Sequence, residues 1–138
     1  MSAIPDSARL LLESDTLAHL VTINPDGSPQ LSCVWVGVDG DELVVASLSQ
    51  RQKLRNVRRD PRVVVSLEAD GTDALGLKQH LVIHGRGRVE EGGAAELLQW
   101  LAFTYIGPGV RFPPMDDPPP GYVLRIVPER FAGNGPWA

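Results

Sequence analysis

The stretch Asp41-Glu42-Leu43-Val44-Val45-Ala46-Ser47-Leu48-Ser49-Gln50-Arg51-Gln52-Lys53-Leu54-Arg55-Asn56-Val57-Arg58-Arg59-Asp60-Pro61 decides the fold. Leu43 to Ala46 is an apolar run with two β-branched residues, which predicts a buried strand. Ser47-Leu48-Ser49 then turns the chain into a short basic helix. Asp60-Pro61 ends it, because proline disfavours helical geometry in the residue before it. Ser49 has an N-cap side chain, and Gln52 follows at capping-box spacing. Arg51 and Lys53 fall in the first helical turn, where unpaired N–H groups already carry partial positive charge. A phosphate there would be held by those N–H groups, the serine hydroxyls and both cations together. The junction from Ala46 through Ser47, Leu48 and Ser49 to Lys53 therefore reads as a phosphate-holding strand–helix turn. The plainer alternative is a solvated basic face with Leu54 and Val57, three apart, pinned to the core. On this stretch alone the two readings stand level.

Outward from the junction the pattern is mainly β. Asp39-Gly40 is a hairpin dipeptide, so a long strand from Pro29 to Val38 pairs antiparallel with Glu42 to Ser47. Before it, Leu17 to Ile23 predicts a strand and Asn24-Pro25-Asp26-Gly27 a turn. Ile4-Pro5-Asp6-Ser7 predicts a helix start capped by Asp6 or Ser7, with Leu10, Leu11 and Leu12 on the buried side. After the basic helix, Arg62 to Glu68 alternates with Val63, Val65 and Leu67 on one face. Leu77 to Glu90 predicts another long strand, with Gly85 and Gly87 marking a bend or a close backbone approach. Leu97, Leu98, Leu101 and Tyr105 have helical spacing over 94–105. Residues 107–121 are dense in proline and glycine and predict a long irregular loop, which is either functional or disordered. Tyr122 to Val127 is the last predicted strand. Six strands joined mostly by hairpins, with three short helices, imply an antiparallel barrel in one domain spanning 1–138.

Composition narrows the function. The net charge is −4 over 138 residues, so the basic helix is a local feature on an acidic chain. That argues against general nucleic-acid binding, which needs a basic surplus over the domain. The single cysteine, Cys33, excludes an internal disulfide and a cysteine-based zinc site. No run approaches a membrane span of ~20 apolar residues, and the first residues lack a signal-peptide pattern. A cytoplasmic location is the expectation. His80 and His84 share a strand face at ~13 Å, too far apart for one metal ion, so no metal is expected. No nucleophile elbow, phosphate-binding P-loop or dinucleotide fingerprint occurs. The neighbours of Cys33, Leu31 and Val34, are apolar and favour a spectator thiol. Trp137 is the aromatic to watch, because a terminal tryptophan after Gly133-Asn134-Gly135-Pro136 implies that the tail docks.

The order of Asn24-Pro25-Asp26-Gly27-Ser28-Pro29-Gln30-Leu31-Ser32, Val34-Trp35, Asp39-Gly40 and Lys53-Leu54-Arg55-Asn56-Val57-Arg58-Arg59-Asp60-Pro61-Arg62-Val63 resembles the flavin/deazaflavin-binding split-barrel superfamily, the fold of pyridoxine-phosphate oxidase. Within it, the chain is similar to the "PPOX class" of actinobacterial coenzyme F-420-dependent oxidoreductases. The resemblance is dense over 16–65 and fainter through Gly85-Arg86-Gly87 and Gly135-Pro136-Trp137. It implies a six-stranded split β-barrel and a homodimer with the cofactor in a groove between subunits. Lys53 would contact the cofactor phosphate, with Arg51, Gln52 and the 46–49 backbone beside it. Gln30, Ser32, Cys33 and Trp35 would lie on the strand under the tricyclic ring, and Trp137 would dock in the dimer groove. Cys33 departs from the proline or asparagine common there. The lactyl-oligoglutamate tail of coenzyme F-420 (8-hydroxy-5-deazaflavin) suits the basic helix better than flavin mononucleotide (FMN) does. The expected function is hydride transfer to a small organic substrate, because a redox cofactor removes the need for a nucleophilic side chain. The competing readings are an FMN-binding oxidoreductase and a non-catalytic cofactor or haem binder.

Overall fold

The hairpin expected at Asp39-Gly40 forms, and one sheet grows from it in a computed structural model that describes residues 3–138. In chain order the elements are α1 (Asp6–Leu12), β1 (Ala18–Ile23), β2 (Pro29–Val34), β3 (Gly37–Asp39), β4 (Glu42–Ser47), α2 (Gln52–Arg59), β5 (Arg62–Thr72), β6 (Lys78–Glu91), α3 (Ala94–Tyr105) and β7 (Tyr122–Asn134). The seven strands form a single sheet in the order β2-β1-β5-β6-β7-β4-β3, with every pairing antiparallel. Its two end strands, β2 and β3, are consecutive in the sequence and separated only by Trp35 and Val36. The barrel is therefore split. Its two edges are joined by the chain itself and not by a hydrogen-bonded ladder.

The strand count is seven because the long strand expected over 29–38 breaks at Trp35-Val36. Tyr105 of α3 explains the break. Its hydroxyl accepts the Val36 N–H at 3.1 Å, donates to the Thr16 carbonyl at 3.0 Å and lies 3.3 Å from the Val36 carbonyl. The backbone groups that leave the ladder are thus satisfied by a side chain, as buried polar groups must be. At Gly37 a Cβ would lie 2.9 Å from both Leu101 and Trp100, so α3 packs directly on the backbone there.

β7 is longer than expected. It continues through Pro128 to Asn134 because the β6–β7 register shifts between His84 and Gly85, placing Pro128 opposite Gly85. A bulge tolerates a residue without an N–H. A Cβ on Gly85 would meet the Val127 carbonyl oxygen at 2.6 Å, which accounts for the glycine.

Helix starts differ from expectation. α1 begins at Asp6 with Pro5 in the cap position and no side-chain cap, and it buries Ala8 and Leu12 while Leu10 is 75% exposed. α2 begins at Gln52 with Arg51 in the cap position, so Ser49 does not cap it. Inside the sheet Leu20, Leu43, Leu54, Leu67, Leu81, Ile83, Leu124 and Ile126 are fully buried. Each contributes about 1.5–3 kcal/mol of transfer free energy. Leu54 and Val57 anchor α2 to this core, and that fixes the direction of its opposite face.

Candidate functional site

The start of α2 opens into a groove with a polar end and an apolar end. The polar end, about 650 Å³, is bordered by Gln30, Ser32 and Cys33 of β2 and by the 49–53 segment. The apolar end, about 250 Å³, is walled by Val34, Trp35, Ala46, Leu98, Leu101 and Phe112. Cys33 and Lys53 border both, so the two ends meet at these residues.

Arg51 is exposed and Lys53 half-buried. Among the described residues neither cation has a hydrogen-bond or ion-pair partner, and no acceptor in the chain takes the Gln52 or Lys53 backbone N–H. Burial holds the Lys53 ammonium below the ordinary lysine pKa, and the Arg51 charge lowers it further. The other cations of α2 are engaged. Arg55 donates to the Gln50 carbonyl at 3.2 Å and to Gln52 Oε1 at 3.1 Å. The Arg58 guanidinium lies 5.5 Å from the Tyr122 ring centroid, and Arg59 donates to the Ile23 carbonyl. Two uncompensated cations therefore stand beside free N–H groups, a local positive charge that the chain's own groups do not offset.

A buried amide network sets the polar wall. Asn56 and Thr22 are fully buried. Asn56 Nδ2 donates to Thr22 Oγ1 and to Asn24 Oδ1, both at 3.0 Å. Its Oδ1 accepts from Gln52 Nε2 at 2.7 Å. Thr22 Oγ1 donates to Gln30 Oε1 at 3.2 Å, and Gln30 Nε2 donates to Ser32 Oγ at 3.2 Å. Gln52 thus faces Asn56 and does not close a capping box. Asn24, read from sequence only as part of a turn, also orients Asn56.

The structure brings Gln30, Ser32, Cys33, Trp35, Ala46, Ser49, Arg51, Gln52 and Lys53 to this one groove. Ser47 and Leu48 are not among its lining residues; Ser47 is buried and its hydroxyl donates to the Ser49 carbonyl at 2.6 Å, holding the turn. Trp137 is not among the groove residues. The tail packs in this chain's own core, where Trp137 is 8% exposed and its Nε1 donates to the His80 carbonyl at 3.0 Å. Sequence reasoning missed Leu98, Leu101 and Phe112. Leu98 and Leu101 were legible only as helix core, and nothing in a proline-rich segment marks Phe112 as a wall. Trp35, Tyr105 and Phe112 form one aromatic cluster, with Tyr105 stacked on Trp35 at 5.2 Å and Phe112 tilted against it at 5.1 Å. No cluster of three potential metal ligands occurs among the described residues. No helix among them is long and apolar enough to cross a membrane.

This chain matches the family model described as pyridoxamine 5'-phosphate oxidase over residues 4–134. It resembles the solved structure of an F420 reductase at 27% identity, covering 94% of this chain and 98% of that one, with a TM-score of 0.74. A conserved hypothetical protein, Rv2991 from Mycobacterium tuberculosis, is 29% identical over 97% of this chain and 84% of that one, with a TM-score of 0.76. HupZ of Group A Streptococcus shares the fold at 17% identity, over 98% of this chain and 97% of that one, with a TM-score of 0.66.

Proposed function

The chain belongs to the pyridoxamine 5'-phosphate oxidase family, and from that premise we propose that it is an oxidoreductase that binds coenzyme F-420 at the start of α2 and serves hydride transfer to a small organic substrate. The family binds flavin-type cofactors and includes oxidases and reductases, and the likeness to an F420 reductase favours the deazaflavin over FMN. The observation that carries the reading is the unpaired pair Arg51 and Lys53, beside free N–H groups, at the mouth of an aromatic-walled groove.

The residues fit such a group. Lys53 and the Gln52 and Lys53 N–H groups would hold the phosphate, and exposed Arg51 would meet the tail carboxylates. When bound, the deazaflavin supplies a two-electron hydride donor. The chain's own part is to orient and to exclude water. Trp35 and Val34 present a flat apolar surface, Phe112 and Leu98 close the far side, and Gln30 and Ser32 offer fixed polar contacts at the other end. No side-chain nucleophile is required. Leu31 is 61% exposed and Cys33 is exposed on the same β2 edge, an apolar margin suited to a second copy of the chain in a homodimer.

Fluorescence titration of the cofactor-free protein with coenzyme F-420 and FMN tests the assignment. Tighter F-420 binding is expected, and FMN binding about tenfold tighter, a gap of ~1.4 kcal/mol, would overturn the choice. Turnover of reduced F-420 with an added quinone or nitro compound separates an enzyme from a carrier. Sedimentation at micromolar concentration is expected to give a dimer, and a monomer would remove the shared groove.

A further inference from the structure

Phe112 stands between two spaces. On one side is the apolar end of the groove, about 250 Å³; on the other is an open hollow of about 850 Å³ beneath residues 111–118. Its ring is tilted 51° against Trp35. Gln99 of α3 holds it there. Gln99 Nε2 donates to the Val110 carbonyl at 2.7 Å, and Gln99 Oε1 accepts the Phe112 N–H at 3.0 Å. Both halves of one carboxamide thus pair with the backbone on either side of Arg111, as a neighbouring strand would. The Arg111 side chain turns away, to the Met115 carbonyl at 2.8 Å and the Asp116 carboxylate at 2.6 Å. Residues 107–121 contain no helix or strand, so no ladder duplicates the Gln99 contacts.

We propose that Phe112 sets the size limit of the groove's apolar end, and that Gln99 is the positioning residue that keeps Phe112 against Trp35. A planar group anchored through a phosphate at Lys53, which borders the same space, meets Trp35 along its face and stops at Phe112. With Phe112 displaced, the two spaces join and a longer ring system fits. The proposal rests on reading the groove as the seat of a phosphate-bearing planar group.

The test uses cofactor-free protein and four probes: 1-naphthyl phosphate, 1-pyrenyl phosphate and the corresponding phenols, 1-naphthol and 1-hydroxypyrene. The parent is expected to favour the naphthyl member of each pair. Gln99→Ala and Phe112→Ala should each move the preference toward the pyrenyl member by about fivefold, on the order of one methylene's worth of added apolar contact. Adding Gln99→Ala to Phe112→Ala should change nothing further, since Gln99 acts only through Phe112. Gln99→Glu keeps the acceptor, loses the donor and should fall between. Without any ligand, Gln99→Ala should also speed hydrogen exchange at the Phe112 amide and shift the fluorine resonance of 5-fluorotryptophan at position 35.

Unchanged exchange and an unchanged resonance would overturn the role of Gln99. Changes in both with an unaltered naphthyl-to-pyrenyl preference would overturn the size limit, as would additive effects of the two substitutions. The phenols separate this proposal from the reading beneath it. Phosphates binding no better than phenols would sink the phosphate anchor, while a shifted preference among the phenols would still support Phe112 as the limit. Failure of all four probes to bind the parent would overturn both.

Discussion

Tyr105 lies flat on Trp35, ring centroids 5.2 Å apart and planes within 8° of parallel, while its hydroxyl bridges the backbone where β2 gives way to β3. One residue of α3 therefore supports both the floor of the groove and the break in the sheet. Burial pushes the Tyr105 phenol above its ordinary pKa, which keeps it a neutral donor. Tyr105→Phe retains the stack and strands the Val36 N–H in a position only 2% exposed. The expected cost is about 1–3 kcal/mol by denaturant melting, the penalty for an unsatisfied buried group. A variant as stable as the parent would show that the hydroxyl contributes nothing to the break.

Lys53 makes opposite forecasts for stability and for binding. Burial lowers its folded-state pKa, so the folded chain holds that proton less firmly than the unfolded chain does. The charged ammonium thus destabilises the cofactor-free fold below the folded pKa, and the penalty fades as pH rises toward the ordinary lysine value. Lys53→Met should raise Tm at pH 7 without cofactor, with the gain shrinking in alkali. Lys53→Ala should weaken F-420 binding about ten- to a hundredfold through loss of a charge-assisted hydrogen bond. Arg58→Ala, whose guanidinium lies over Tyr122 outside the groove, is the control and should bind like the parent. Equal affinities for the parent and Lys53→Ala at low salt, where screening is weakest, would remove the phosphate site.

Asn56 ties α2 to β1, and through Thr22 to Gln30 of β2. Asn56→Ala leaves Thr22, Asn24 and Gln52 without a shared partner in a buried setting. We expect a loss of about 2–3 kcal/mol in unfolding free energy. Affinity for F-420 should fall as well, because Gln52 and Gln30 lose their orientation. Asn56→Ala that melts with the parent would mean that water replaces the amide at no cost.

Trp137 separates a structural from a cofactor role. Trp137→Phe keeps most of the buried ring and removes the bond to the His80 carbonyl. A loss of about 1–2 kcal/mol in stability is expected, with F-420 affinity unchanged. A selective loss of affinity at unchanged Tm would place the tail at the groove of a second copy.

Periodicity and turn chemistry carried much of this architecture. Asp39-Gly40, Asn24 to Gly27 and the helix over 94–105 are local signals, and each formed where its residues point. The break at Trp35-Val36 was invisible because its cause, Tyr105, lies 69 residues away in the chain. Pro128 reads locally as a strand end, and only the register of β6 opposite it turns it into a bulge. Ser49 is a good cap by type, yet the helix starts three residues beyond it, with the serine carbonyl engaged by Ser47 instead. The polar end of the groove was legible because two cations at a helix start are locally anomalous. The apolar wall was not, since Leu98 and Phe112 acquire their meaning only by lining one space that folding creates.

The split closed by Trp35 and Val36 has a mechanical consequence. A barrel sealed by a ladder changes its girth only by breaking inter-strand hydrogen bonds. Here the seam is two residues of chain, so the circumference can widen by torsion at those residues, with the Tyr105 hydroxyl as the contact given up. The groove floor is part of that seam. Accommodating a guest should therefore register as a change in amide exchange at Val36, while the β5–β6 and β6–β7 ladders on the far side keep their protection.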